Sequence, residues 1–145
     1  MIAATLSLIG FLLSLYLWLW KIGVVGTLAC GTGTCEYVQT SQYAMIAGLP
    51  VALIGAAGYL GLLIVSLVGL QPRWAERREP GVWLAVLSGG GVAFTAYLSY
   101  VEAFVLHAWC RWCLGSAAII LAVFAAAMVG LRTPIRPSAH PPIRP

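Results

Sequence analysis

The sequence predicts an all-α integral membrane protein, a bundle of four transmembrane helices, and three observations carry that prediction. Charged residues make up 8% of the chain, against about 25% in an ordinary soluble domain. Eight basic and four acidic side chains cannot cover a water-facing surface around 145 residues that are 61% hydrophobic. The apolar residues fall into four long stretches, each close to the roughly 20 residues that cross a hydrocarbon core at 1.5 Å per residue. The tryptophans and most of the basic residues stand at the ends of those stretches or in the connections between them. The mean hydropathy of +0.95 agrees. The net charge of +4 comes from scattered residues, which argues for a part in topology and against a nucleic-acid surface.

The first stretch, residues 2–20, has no basic residue before it, and its nearest charge, Lys21, follows it. That pattern is wrong for a cleaved signal peptide. "TLACG" before Cys30 has a faint likeness to a lipoprotein cleavage site, but the preceding run is long enough to span. The second stretch, residues 49–70, carries Gly55, Gly58 and Gly61. The third, residues 82–106, carries Gly89, Gly90 and Gly91. Both sets of glycines are expected to let helices approach closely. The fourth runs over residues 113–131. Since lipid offers backbone groups no partner, all four should be helices. Residues 1–131 thus form a single membrane domain, and residues 132–145, rich in proline and arginine, read as a disordered tail.

Orientation follows from the basic residues. The middle connection holds Arg73, Arg77 and Arg78, and the tail holds Arg132, Arg136 and Arg144; the opposite side holds only Lys21 and Arg111. Six against two puts both termini in the cytoplasm. Trp18, Trp20, Trp109 and Trp112 then mark the outer interface, and Trp74 and Trp83 the inner one. A short helix or loop outside the membrane joins the first two spans, and all four cysteines face outward.

Cys30 and Cys35 flank Gly-Thr-Gly-Thr in that outer loop, a linker flexible enough for their sulfurs to meet. Cys110 and Cys113 stand at the entry to the fourth span, where free N–H groups and the helix dipole favour a thiolate. Three readings compete. Two structural disulfides are the ordinary fate of outward cysteines, in a non-enzymatic scaffold for example, yet such short loops constrain little of the unfolded chain. A four-cysteine zinc cage is within ligand spacing, but it fits an oxidising compartment poorly, so no metal is expected. In the third reading the pairs form a redox relay by thiol–disulfide exchange. A soluble dithiol enters at a mobile loop pair, and a lipid-soluble acceptor such as a quinone sits beside the fixed pair.

Two segments carry a more specific signal. "CEYVQTSQYAMIAGLPVALIGAAGYL", beginning at Cys35, together with "WCRWCLGS", beginning at Trp109, resembles the bacterial form of the vitamin K epoxide reductase family. The resemblance extends over residues 30–130, with the loop pair first and Cys-x-x-Cys second. DsbB is similar in architecture but carries its Cys-x-x-Cys in the first outer loop. The resemblance implies a four-helix bundle around a quinone, of the ubiquinone, menaquinone or vitamin K type. It also implies oxidation of a DsbA-like or thioredoxin-like partner, in a multi-pass protein of the bacterial inner membrane with its active site outside. By motif, Cys30 and Cys35 match the shuttle pair, Cys110 would receive electrons from it, and Cys113 would pass them to the quinone. Ser41 matches a serine near the active centre in the family; a helix cap for residues 42–47 explains it equally. Animal members have a tyrosine where this chain has Ala117, and their second-span asparagine has no clear counterpart here. Many bacterial relatives carry a fused thioredoxin-like domain, whereas this sequence ends in a short tail, so the partner is expected to be a separate protein.

Among the remaining polar residues, Glu102 and His107 could handle protons for a quinone. The simpler expectation places Glu102 at the outer aqueous boundary and His107 at the interface. Glu36 stands beside Cys35, where its charge would raise that thiol's pKa. Tyr43, Tyr59, Tyr97 and Tyr100 could meet a quinone carbonyl, or simply pack in the interfacial belt.

Overall fold

In hydrocarbon a bare amide has no water to bond, so a spanning segment must close its hydrogen bonds internally. The computed structural model, which describes residues 1–31 and 34–133, shows four helices doing this: α1 (Ile2–Lys21), α3 (Val51–Gly69), α5 (Glu79–Tyr100) and α6 (Arg111–Arg132). Each is long and apolar enough to cross a membrane, with α5 continued by a π-helical turn so that the span runs Glu79–Leu106. Two short helices occupy connections, α2 (Thr34–Thr40) near the cysteines and α4 (Pro72–Ala75) at the opposite end. The tail expected to be disordered lies outside the described residues from position 134 onward.

The spans begin and end within three residues of the expected limits, and each shift has a local cause. The second starts at Val51 because residues 45–50 form a hairpin, with Met45 opposite Pro50 and Ile46 opposite Leu49. Its turn places Ala47 and Gly48 at φ +51° and +82°, the positive values that a two-residue turn of this hand requires. The helix expected over residues 42–47 is therefore only a 3₁₀ turn, Gln42–Ala44. Ser41 precedes that turn but does not cap it; its hydroxyl donates to the Val38 carbonyl at 2.7 Å. The third span gains Glu79, Pro80 and Gly81 at its start, where proline lacks an N–H the first turn would leave unpaired anyway.

The spans close a ring, in which α1 packs against α3 and α6, and α5 against α3 and α6. Large apolar side chains such as Leu12, Ile64, Val86 and Leu121 point outward, as suits a lipid solvent. Small and polar residues fill the contacts between helices: Ser7, Gly10, Ser14, Ser66 and Ser88 are buried. Ser66 and Ser88 donate to carbonyls one turn back in their own helices, at 2.7 and 2.6 Å, which satisfies the hydroxyl without a partner helix. Gly10 is the tightest approach, because the Tyr59 ring occupies the space a Cβ would need. Of the glycines expected to pack helices, Gly55 faces Ser14, Gly89 faces Phe124 and Gly91 faces Ile120. Gly58, Gly61 and Gly90 have nothing within 4 Å of a built Cβ, and Gly58 instead lines an internal cavity.

Candidate active site

The neighbouring ends of α1, α3 and α6 and the connection holding α2 share one buried cluster. It contains Leu17, Leu28, Cys30, Cys35, Val38, Ala52, Ala108 and Cys110, with Cys113 packed against it. All four cysteines are thus brought together at the end of the bundle opposite the arginine-bearing connection. Cys30 and Cys35 are joined in a disulfide with their Cα atoms 6.1 Å apart. Cys110 and Cys113 are free thiols. The loop pair was expected to lie open to a soluble partner, but Cys30 is only 3% exposed and Cys35 is fully buried.

Side chains fix this connection to the spans. Tyr16 accepts the Ala29 N–H at 3.2 Å. Lys21 donates to the Gln39 carbonyl at 2.6 Å, and Thr34 to the Trp109 carbonyl at 3.2 Å. The last contact ties the start of α2 to the residue before Cys110.

The Cys-x-x-Cys motif straddles the start of α6. Cys110 is the N-cap, in extended backbone at φ −96° and ψ 116°, and Cys113 is the third residue of the helix. The helix thus begins two residues before the expected start at Cys113. Cys110 is fully buried, and its thiol is lowered to about 7. The Cys113 thiol beside it contributes most, reinforced by the N–H groups of Cys113 and Trp112 at the helix start.

Glu102 is the clearest correction to the sequence reading. It does not meet water: it is 3% exposed, and its Oε2 accepts the Cys110 N–H at 3.2 Å. The π-helical turn Val101–Leu106 and the left-handed His107 (φ +48°) that ends it bring this about. They fold the chain back so that the Ala108 N–H reaches the Glu102 carbonyl at 3.1 Å. His107 itself is exposed, as expected at an interface.

A partly open cavity of about 220 Å³ lies between α1, α3, α5 and α6. Its walls are mainly apolar, with Leu13, Ile54, Phe94 and Leu98 among them, and Gln39, Glu102, Trp112 and Cys113 line it at the cysteine-bearing end. Cys113 is the one cysteine that lines it. A smaller recess of about 30 Å³ adjoins the same thiol and holds Ser41 and Tyr43. Of the four tyrosines considered, Tyr59 alone lines the large cavity, and its hydroxyl is engaged by the carbonyl and hydroxyl of Ser116 at 2.8 and 3.0 Å. Tyr97 and Tyr100 are exposed.

Two residues take places in this site that the sequence reading did not give them. Gln39 is buried, and its Nε2 lies 3.8 Å from the Cys113 sulfur. Trp112 turns inward, its ring 5.3 Å from that of Tyr16, instead of joining the interfacial belt. Its buried indole N–H has no hydrogen-bond partner. A tryptophan between the two cysteines of the motif was the only available signal for it.

A disulfide and a dithiol packed together at one end of a membrane-spanning bundle, one thiol opening on an apolar cavity, define a membrane redox enzyme of disulfide chemistry. The model of the vitamin K epoxide reductase family matches residues 1–128, and the chain belongs to that family. Its members use quinones and generally work with thioredoxin-like redox partners.

Proposed function

We propose that this protein oxidises the dithiol of a DsbA-like or thioredoxin-like partner and passes the two electrons through Cys30–Cys35 and Cys110–Cys113 to a membrane quinone. One observation carries the reading. The two couples share a buried cluster, while Cys113 alone of the four cysteines lines the apolar cavity. The order of transfer follows: partner, loop couple, Cys110, Cys113, ring.

The cavity fits such a ring. Its volume far exceeds the roughly 10–15 Å³ that one water needs on the same measure, and Gly58 leaves a flat open wall where a side chain would intrude. The unpartnered Trp112 N–H at its outer end lacks the acceptor that a carbonyl supplies. A bound quinone supplies a two-electron, two-proton acceptor confined to the bilayer.

The protein's own groups do the rest. A partner thiolate attacks the Cys30–Cys35 disulfide, forming a mixed disulfide that the partner's second thiol resolves. The loop dithiol then reduces Cys110–Cys113 by the same exchange, with Cys110 as the sulfur attacked. The closed loop disulfide beside free Cys110 and Cys113 corresponds to the stage just after this transfer. Gln39 holds an N–H toward the Cys113 sulfur at the polar end of the cavity. Ser41, in the recess beside Cys113, forms the outer edge of the quinone site. The proposed setting is a bacterial inner membrane with the cysteines on the outside, a reading that the arginine-bearing connection at the other end supports.

Anaerobic mixing of the purified protein with a reduced DsbA-like partner and ubiquinone or menaquinone tests the proposal. Quinol formation is expected, and it should be lost in each of the four Cys→Ala variants. Its absence with every quinone, or its persistence in all four variants, overturns the reading.

A further inference from the structure

The chain has four acidic residues, of which Glu36, Glu76 and Glu79 are exposed. Glu102 is buried in the wall shared by the large cavity and the smaller recess. A carboxyl at that depth is costly unless it is held or used, and among the described residues no lysine or arginine pairs with it. Its neighbours are instead the two members of the thiol pair. Oε2 takes the Cys110 N–H at 3.2 Å, and the carboxyl shares the walls of both the large cavity and the smaller recess with Cys113. The π-helical turn that turns Glu102 inward leaves Tyr100 and Phe104 facing out, a local irregularity of the kind often found at functional sites.

Resting on the quinone reading above, we propose that Glu102 takes the proton of the Cys113 thiol and delivers it to the reduced quinone oxygen. Cys110 ionises first, giving its proton to outer water, which leaves Cys113 with the proton that must move before its sulfur can act. Transfer to Glu102 gives a Cys113 thiolate and a neutral carboxylic acid. As the Cys110–Cys113 bond forms, the two sulfurs lose two electrons to the quinone. One quinone oxygen takes the Glu102 proton, and the other takes a proton from outer water equal to the one Cys110 shed. The carboxylate is thereby restored, and charge, protons and electrons balance.

Other titratable groups around the same space do not replace it. Tyr59 is engaged by Ser116, Tyr43 lines only the recess, His107 is exposed, and the Lys21 ammonium is held on the Gln39 carbonyl.

Glu102→Gln tests the proposal, because its amide oxygen can still accept the Cys110 N–H while the proton-carrying group is gone. Quinol formation should fall about a hundredfold or more, while exchange between the loop couple and Cys110–Cys113 continues. Glu102→Asp should recover part of the rate, and added acetate should rescue Glu102→Gln, neither of which a purely structural contact predicts. An independent readout needs no quinone: redox-difference infrared spectra of the wild type should show a shift of the carboxylate bands as the Cys113 S–H appears beside Glu102 on reduction of Cys110–Cys113, a signal absent from Glu102→Gln. A Glu102→Gln rate within about twofold of wild type across pH overturns the proposal, as does a wild-type spectrum without that signal. If the wild type itself forms no quinol with any quinone, the relay reading fails, and the infrared signal still decides whether Glu102 shares the Cys113 proton.

Discussion

Cys110 and Cys113 are chemically unequal although they belong to one motif. Cys110 sits in front of the helix, where its charge is favoured; Cys113 sits one turn in, facing the cavity. The lowered Cys110 thiol gives the inner couple a pH dependence of definite sign. In protein with Cys30 and Cys35 replaced by serine, the ultraviolet thiolate signal should rise with a midpoint near pH 7 and fall away in more acidic solution. Cys113→Ala removes the largest cause of the shift, so the midpoint should move up toward the ordinary thiol range of about 8.5. A second prediction concerns capture. With either Cys30 or Cys35 changed to alanine, the remaining loop sulfur has no resolving partner, and a mixed disulfide to Cys110 should accumulate and be found by peptide mass spectrometry. The four cysteines were legible because their spacing is itself the chemistry. The inward placement of Glu102, Gln39 and Trp112 was not, since a residue beside the end of an apolar run looks the same whether it faces water or a cavity. Only the π-helical turn, a product of packing between spans, decides which way Glu102 points.

Among the elements, the contact between α1 and α3 depends most on a single atom's absence. The Tyr59 ring lies where a Gly10 side chain would go, and its hydroxyl continues to Ser116 on α6, so one tyrosine links three spans. Gly10→Ala should destabilise the bundle by about 1–3 kcal/mol through overpacking, measured as a lower midpoint of unfolding in detergent. Tyr59→Phe keeps the ring and loses only the hydroxyl, so its cost should be smaller, about 0.6 kcal/mol, the average for hydrogen bonds between membrane helices. The four spans were readable from length and apolarity alone, because lipid leaves the backbone no alternative. Gly10 escaped notice because one glycine in an apolar run looks unexceptional, whereas the glycine groups in α3 and α5 drew attention and only part of each is used for packing. The hairpin at residues 45–50 was missed for a related reason: its turn needs positive φ at Ala47, which alanine does not advertise.

Across the whole molecule, most of the arginines and all four cysteines lie at opposite ends of the bundle. In a cysteine-free background, Val24→Cys, on the exposed stretch after α1, should react with an impermeant maleimide added to intact cells. Ala75→Cys, in α4 among the arginines, should react only after the membrane is opened. The reverse pattern would invert the proposed topology. The covering of Cys30 and Cys35 has its own consequence at this scale. A conductor laid bare along the outer surface would discharge into any small thiol drifting past. Here a reductant has to displace part of the packing around the disulfide, Leu28 and Val38 included, before it touches sulfur, so a protein able to grip this connection gains an advantage that a free small molecule lacks. On the proposed relay, insulation and choice of customer would rest on the same packing.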